Sequence, residues 1–199
     1  MTTPSITYED NEIIELRGYR LRVQIKHDDS QGEPWKECEG YGVIKRRRSN
    51  SREKHPWERF MGDNYIYDMR ATRAKAKKDG WGLDEEALIA LSARLGRVPT
   101  GKQMIAESIE KDYAFLLTWI NDEWHWHGYI VTLLDADDEE MDDYSDSCWG
   151  FDFWLYDDTK NRYFYEQITD AAEHIVQRAE KEAQELRYWN ERDVMTEAV

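Results

Sequence analysis

The chain has 199 residues, 40% of them hydrophobic and 13% aromatic, enough for one domain with a sizeable core. Its 42 acidic and 27 basic side chains leave a net charge of −15, and the mean hydropathy is −0.90. Such a field repels nucleic acid and anionic membrane as direct partners, and no apolar run reaches the roughly 20 residues of a membrane helix. The two cysteines, Cys38 and Cys148, make no disulfide framework, and Met1-Thr-Thr-Pro-Ser lacks the basic and apolar regions of a signal peptide. A cytoplasmic protein is expected.

In chain order, Ile13–Leu16 and Tyr19–Lys26 are predicted strands joined by a tight turn at Arg17-Gly18. Arg20, Arg22 and Gln24 alternate there with Tyr19, Leu21, Val23 and Ile25, the period of a half-buried strand. His27–Glu39 is read as a loop and Tyr41–Ile44 as a short third strand. Residues 45–64 have no periodicity and are expected to be a surface excursion. Three helices follow. Tyr65–Lys78 is rich in Ala, Lys and Arg and runs out at Gly80. Asp84–Leu95 aligns Leu88, Leu91 and Leu95 and stops at Gly96. Thr100 caps the third, with Gln103 in capping-box position and a stripe at Ile105, Ile109, Leu116 and Ile120.

Trp126–Leu134 and Ser147–Tyr156 are predicted to pair as a hairpin around the acidic loop Asp135–Asp146. Tyr163–Trp189 is a long final helix whose stripe of Ile168, Ala172, Ile175, Ala179, Ala183 and Leu186 approximates a heptad seam. That seam suits a homodimer, or burial against the protein's own sheet. The element order predicts a single α+β domain over residues 1–199. It would hold an antiparallel sheet of about four to five strands, three to four helices and a long C-terminal helix.

Charge is segregated along the chain. Residues 45–78 carry twelve basic side chains against four acidic ones. Residues 112–159 carry no Lys or Arg, 14 carboxylates and twelve aromatic rings. Rings in that number mark a folded scaffold rather than an acidic disordered tail, and the field attracts proteins with a basic working surface. On an extended segment alternate side chains repeat at roughly 6.6 Å. Asp135, Asp137 and Glu139, or Glu140 and Asp142, can then form a carboxylate row like a string of phosphates. The candidate contact set is Asp135, Asp137, Asp138, Glu139, Glu140, Asp142, Asp143, Asp146, Asp157 and Asp158, with Trp124 and Tyr144 as aromatic anchors.

Other chemistries compete for the same residues. An EF-hand started at Asp135 would meet Glu140 where Gly is required and Asp146 where Glu is usual. His125 and His127 share one face of a strand, and with Cys148 on a facing strand they are weak zinc candidates. A metal-dependent hydrolase using carboxylates and these histidines is therefore the alternative from the enzyme class, although no complete catalytic motif is present. Asp158-Thr159-Lys160 after Asp146 resembles a nuclease pattern, but the surrounding charge would repel the substrate. The basic stretch 45–59, with Trp57 as a stacking ring, offers a nucleic-acid site that pairing with the protein's own carboxylates opposes.

Several stretches carry a resemblance. Gly18-Tyr-Arg-Leu-Arg-Val-Gln-Ile-Lys-His-Asp-Asp, Asp79-Gly-Trp-Gly, Arg94-Leu-Gly-Arg-Val-Pro-Thr, Asn121-Asp-Glu-Trp-His-Trp and Ser147-Cys-Trp-Gly-Phe resemble a family of small acidic proteins of tailed phages and prophages. The resemblance implies a setting, a phage product in a bacterial cytoplasm, and no activity, cofactor or site residue. The expectation is a non-enzymatic interaction protein. It would imitate nucleic acid and occlude the basic groove of a host DNA- or RNA-binding complex, such as restriction or CRISPR machinery. A phage structural or regulatory protein whose acidity only maintains solubility is the further alternative.

Overall fold

A computed structural model describes residues 7–47 and 55–197, with side chains described as far as residue 188. The chain divides into two compact units, one of residues 1–29 and 124–199, the other of residues 30–123. Among the described residues, seven strands in two antiparallel sheets, together with helices, make the fold α+β.

In the first unit, β1 (Glu12–Leu16), β2 (Tyr19–His27), β6 (Trp124–Leu134) and β7 (Glu140–Trp154) form a sheet of order β1-β2-β6-β7, antiparallel throughout. Arg17 and Gly18 turn the first hairpin with φ of 53° and 84°, the left-handed pair that a two-residue turn needs. Leu21 and Val23 of β2 and Tyr129, Val131 and Leu133 of β6 point to one face, where helix α5 (Arg162–Glu197) covers them. The helix meets them with Phe164, Ile168, Ala172, Ile175, Val176 and Ala179, spaced to fall on one stripe. The predicted seam is therefore buried against the chain's own sheet as far as Ala179, while Leu186 beyond it is exposed.

One polar clamp joins β7 to α5. The Asn161 side chain, 1% exposed, accepts from the Trp154 amide at 2.8 Å and donates to the Trp154 carbonyl at 2.9 Å. It thus supplies the ladder bonds that a further strand would have made. On the opposite sheet face Trp124 packs edge-on to Trp126 at 5.1 Å, with Trp154 at 6.4 Å.

In the second unit, β3 (Ile44–Arg46), β4 (Glu58–Met61) and β5 (Tyr65–Asp68) form a sheet of order β3-β5-β4. A single turn, α1 (Pro34–Glu37), precedes it, and α2 (Met69–Asp79), α3 (Glu85–Leu95) and α4 (Gly101–Ile120) follow. Met61, Tyr67, Ala76, Ile109 and Leu116 form its core. Thr100 and Gln103 close the capping box of α4, Asp84 caps α3, and Gly80 and Gly96 end α2 and α3 with φ of 69° and 66°.

Three expectations are corrected here. Residues 65–68 are a strand, not helix, because Tyr65, Ile66 and Tyr67 favour a sheet and Asp68 caps the helix from outside through the Arg70 and Ala71 amides. The expected excursion over 45–64 supplies β4 and most of β3, with residues 48–54 outside the described set. Most of the acidic loop is strand as well, since β7 begins at Glu140 and the turn is confined to residues 135–139.

Two substitutions test this packing. Ile168→Ala should cost about 2–5 kcal/mol through lost burial and a cavity. Asn161→Ala should cost about 2–4 kcal/mol, because two buried backbone groups at Trp154 lose their partners. Both are read from the midpoint of urea unfolding. An unchanged midpoint for Asn161→Ala would contradict the clamp.

Candidate functional site: an acidic edge strand

The β6–β7 hairpin carries most of the candidate contact residues. β7 lies at the edge of its sheet, and its 15 residues are exposed over most of their length. Its carboxylates do not all face solvent alone. Arg20 of β2 bonds Asp138, and Arg22 bonds Glu140 at 2.7 Å, both cations reaching past β6. Asp135 is spent on the turn, where its Oδ1 accepts from the Asp137 and Glu139 amides, each at 2.9 Å. Asp157 accepts from the Thr159 amide and hydroxyl just before α5, and those bonds hold its carboxyl below the usual range. Asp158 lies 3.5 Å from the Tyr165 hydroxyl.

Among the described residues, the members of the candidate set whose carboxylates make neither an ion pair nor a hydrogen bond are Asp137, Glu139, Asp142, Asp143 and Asp146. All but the half-buried Asp146 are exposed. The expectation of an uncompensated belt is thus narrowed to a short acidic tract on the turn and the first half of β7.

The aromatic anchors are also reassigned. Trp124 is fully buried and presents no ring to a partner. Tyr144 donates to Glu182 of α5 and lies under Arg178 at 4.8 Å, so its ring is engaged within the unit. Trp149 is 45% exposed instead, with Met141 and Tyr156 also at the surface. Trp149 projects from an irregularity in the β6–β7 register, where Gly150 has φ of 85°, and its ring covers Gly128 so closely that a Cβ there would collide. The isolated Gly128 inside an otherwise apolar strand was the available signal for that close approach.

His125 and His127 do share one face of β6, but Cys148 stands opposite Tyr129, whereas Phe153 and Phe151 face the two histidines. The third imidazole is His27, paired with His127 in the ladder and centred 5.4 Å from it and 5.7 Å from His125. Its position depends on the register of strands about a hundred residues apart, which no local pattern reveals. Burial first, and then the two neighbouring imidazoles, push the His127 pKa below its ordinary value. Among the described residues no three His, Cys, Asp or Glu side chains converge to hold a metal ion.

In the second unit part of the basic charge is engaged. Lys45 pairs with Asp68 at 2.5 Å, Arg59 grips Glu110 through both nitrogens, and Lys75 donates to the Glu39 and Tyr41 carbonyls. Asp112, first residue of the acidic block in sequence, lies inside this unit and accepts from the Gly42 amide at 3.0 Å and the Tyr67 hydroxyl at 2.6 Å. Burial raises its pKa against those two donors. Gly42 is needed there, since a Cβ would sit 2.5 Å from the Tyr67 hydroxyl oxygen.

No described helix is long and apolar enough to cross a membrane. Comparison with protein-family models, with curated proteins and with solved structures finds no match.

The histidine group yields a pH prediction. The unfolded chain takes up a proton at about pH 6.5, before folded His127 does, so stability falls as pH drops from there to the folded-state pKa. His127→Gln should flatten that part of the curve relative to the wild type, read as midpoint against pH between 7.5 and 5. Identical slopes for both proteins would refute the assignment.

Proposed function

We propose that this protein is a binding module whose acidic hairpin engages a basic, nucleic-acid-binding protein or complex of a bacterial host and occupies the groove where phosphates lie. The observation that carries this reading is the tract Asp137, Glu139, Asp142 and Asp143, exposed and without cationic partners among the described residues, on the hairpin turn and the start of the edge strand β7. Exposed carboxylates attract a basic groove over long range and set the rate of encounter. An edge strand adds backbone donors and acceptors for a partner strand, and Trp149 supplies a large ring for a buried contact. The likeness of several stretches to phage and prophage proteins is the reason for choosing a bacterial partner, with restriction or CRISPR machinery as the natural class. The chain's own charge of −15 argues against direct binding of nucleic acid.

A second reading is favoured by one feature of the same strand. A 15-residue exposed edge is a template for pairing with another copy, and charged side chains are a common means of blocking it. In that case the carboxylates maintain solubility and recognise nothing.

The two readings separate on one variant. Asp137→Asn, Glu139→Gln, Asp142→Asn and Asp143→Asn together should leave the fold intact, since none of these side chains makes an ion pair. Partners captured from bacterial lysate by the wild type should elute as salt rises, should be displaced by duplex DNA, and should be lost by the fourfold variant. A variant that keeps its partner, or a wild type that itself binds duplex DNA at physiological salt, would end the mimic reading. Aggregation without loss of any partner would establish the edge-protection reading instead.

A further inference from the structure

A cavity of 410 Å³ opens on the second unit beside the start of α2. Its volume lies within the range of small-ligand sites. Pro56, Trp57 and Met69 give it an apolar wall, and Arg59, Arg70 and Arg73 give it three guanidiniums. Glu110 is the acid in the lining, and Arg59 already holds it through both nitrogens, one bond being 2.8 Å. Arg70 and Arg73 pair with no carboxylate among the described residues. They stand one turn apart on α2, roughly 4.5 Å along its axis. Two guanidiniums without a carboxylate partner at that spacing suit the oxygens of one phosphate group, which accepts from several donors at once.

The wall specifies the rest of the ligand. The Trp57 and His55 rings are stacked 3° from parallel with centroids 4.7 Å apart, and both residues are exposed. The Arg70 guanidinium lies 5.7 Å from the Trp57 ring centre. A flat ring can extend this stack while its phosphate reaches Arg70 and Arg73.

We propose that this cavity binds a nucleoside phosphate, an anion joined to a planar base. The free mononucleotide is favoured over the end of a nucleic-acid strand. The lining holds two guanidiniums without a carboxylate partner, enough for one phosphate group, and its third, Arg59, is already committed to Glu110. The site is independent of the acidic hairpin, and the hairpin variant described above should retain it.

Titration of the full chain with adenosine monophosphate, followed by NMR, tests this. The Trp57 indole N–H, assigned by its disappearance in Trp57→Phe, should shift on addition, with a Kd below about 1 mM. Adenosine alone and inorganic phosphate alone should each bind at least tenfold more weakly, and so should an eight-nucleotide single strand at physiological salt. The double variant Arg70→Gln, Arg73→Gln should lose at least tenfold in affinity, and Arg73→Glu alone should lose as much. Both side chains are exposed, so the folded amide spectrum should persist. No shift at Trp57, adenosine binding as tightly as its phosphate, or undiminished affinity in the arginine variants would overturn the site. Tighter binding of the oligonucleotide would overturn the choice of a free nucleotide.

Discussion

Burial of one sheet face beneath α5 is the constraint on which the first unit depends. Strand alternation sends every second side chain of β2 and β6 to that face, so Leu21, Val23, Tyr129, Val131 and Leu133 must be apolar. The same alternation sends Arg20 and Arg22 to the other face, from which they reach Asp138 and Glu140. A slip of one residue in register would expose the core and bury the arginines together. The Asn161 clamp adds a fixed point at the far end, holding the last strand residue to the first turn of the helix. The register, rather than the clamp, decides which carboxylates the arginines of β2 reach.

Elements with a local signature were legible in the sequence. Arg17-Gly18 turns, Thr100 and Gln103 cap, Gly80 and Gly96 terminate, and the stripe from Ile168 to Ala179 is buried, because each obeys a rule written within a few residues. Tyr65–Asp68 misled because a helix-forming run follows it directly, and only pairing with β3 and β4 makes it a strand. Residues 140–146 looked like loop because carboxylates have low strand propensity; Glu140, Ser145 and Asp146 pair with β6 and draw the stretch into the strand, with residues 141–144 in a register irregularity. The candidate site was legible as a region but not as a set of residues. Burial of Trp124, the engagement of Tyr144 with α5, the exposure of Trp149 and the arrival of His27 all depend on tertiary contacts.

Charge is handled differently in the two units. In the second, Lys36, Lys45, Arg59, Lys75, Arg94, Arg97 and Lys111 meet a carboxylate or a carbonyl, whereas Arg70 and Arg73 are among the described cations that meet neither. In the first, the cations of β2 neutralise two positions of the hairpin and leave four exposed carboxylates clustered beyond their reach. Exposed ion pairs of this kind contribute little to stability, about 0–1 kcal/mol each. Their consequence is positional: they fix where the residual negative field is centred, on the turn and the first residues of β7.

That location bears on both solubility and the proposed recognition. A strand edge so acidic cannot pair with its own copy without bringing like charges together, and such a contact is destabilising. A partner strand or groove lined with Lys or Arg meets no such penalty, and gains from the same field that excludes self-pairing. The protective and the recognising readings of β7 therefore share one physical cause, and they part only over whether a basic partner is present. Trp149 bears on that choice, because a 45% exposed indole does nothing to protect an edge and adds apolar surface that aggregation would exploit. Its position beside the carboxylates supports the proposed contact surface over a purely defensive one.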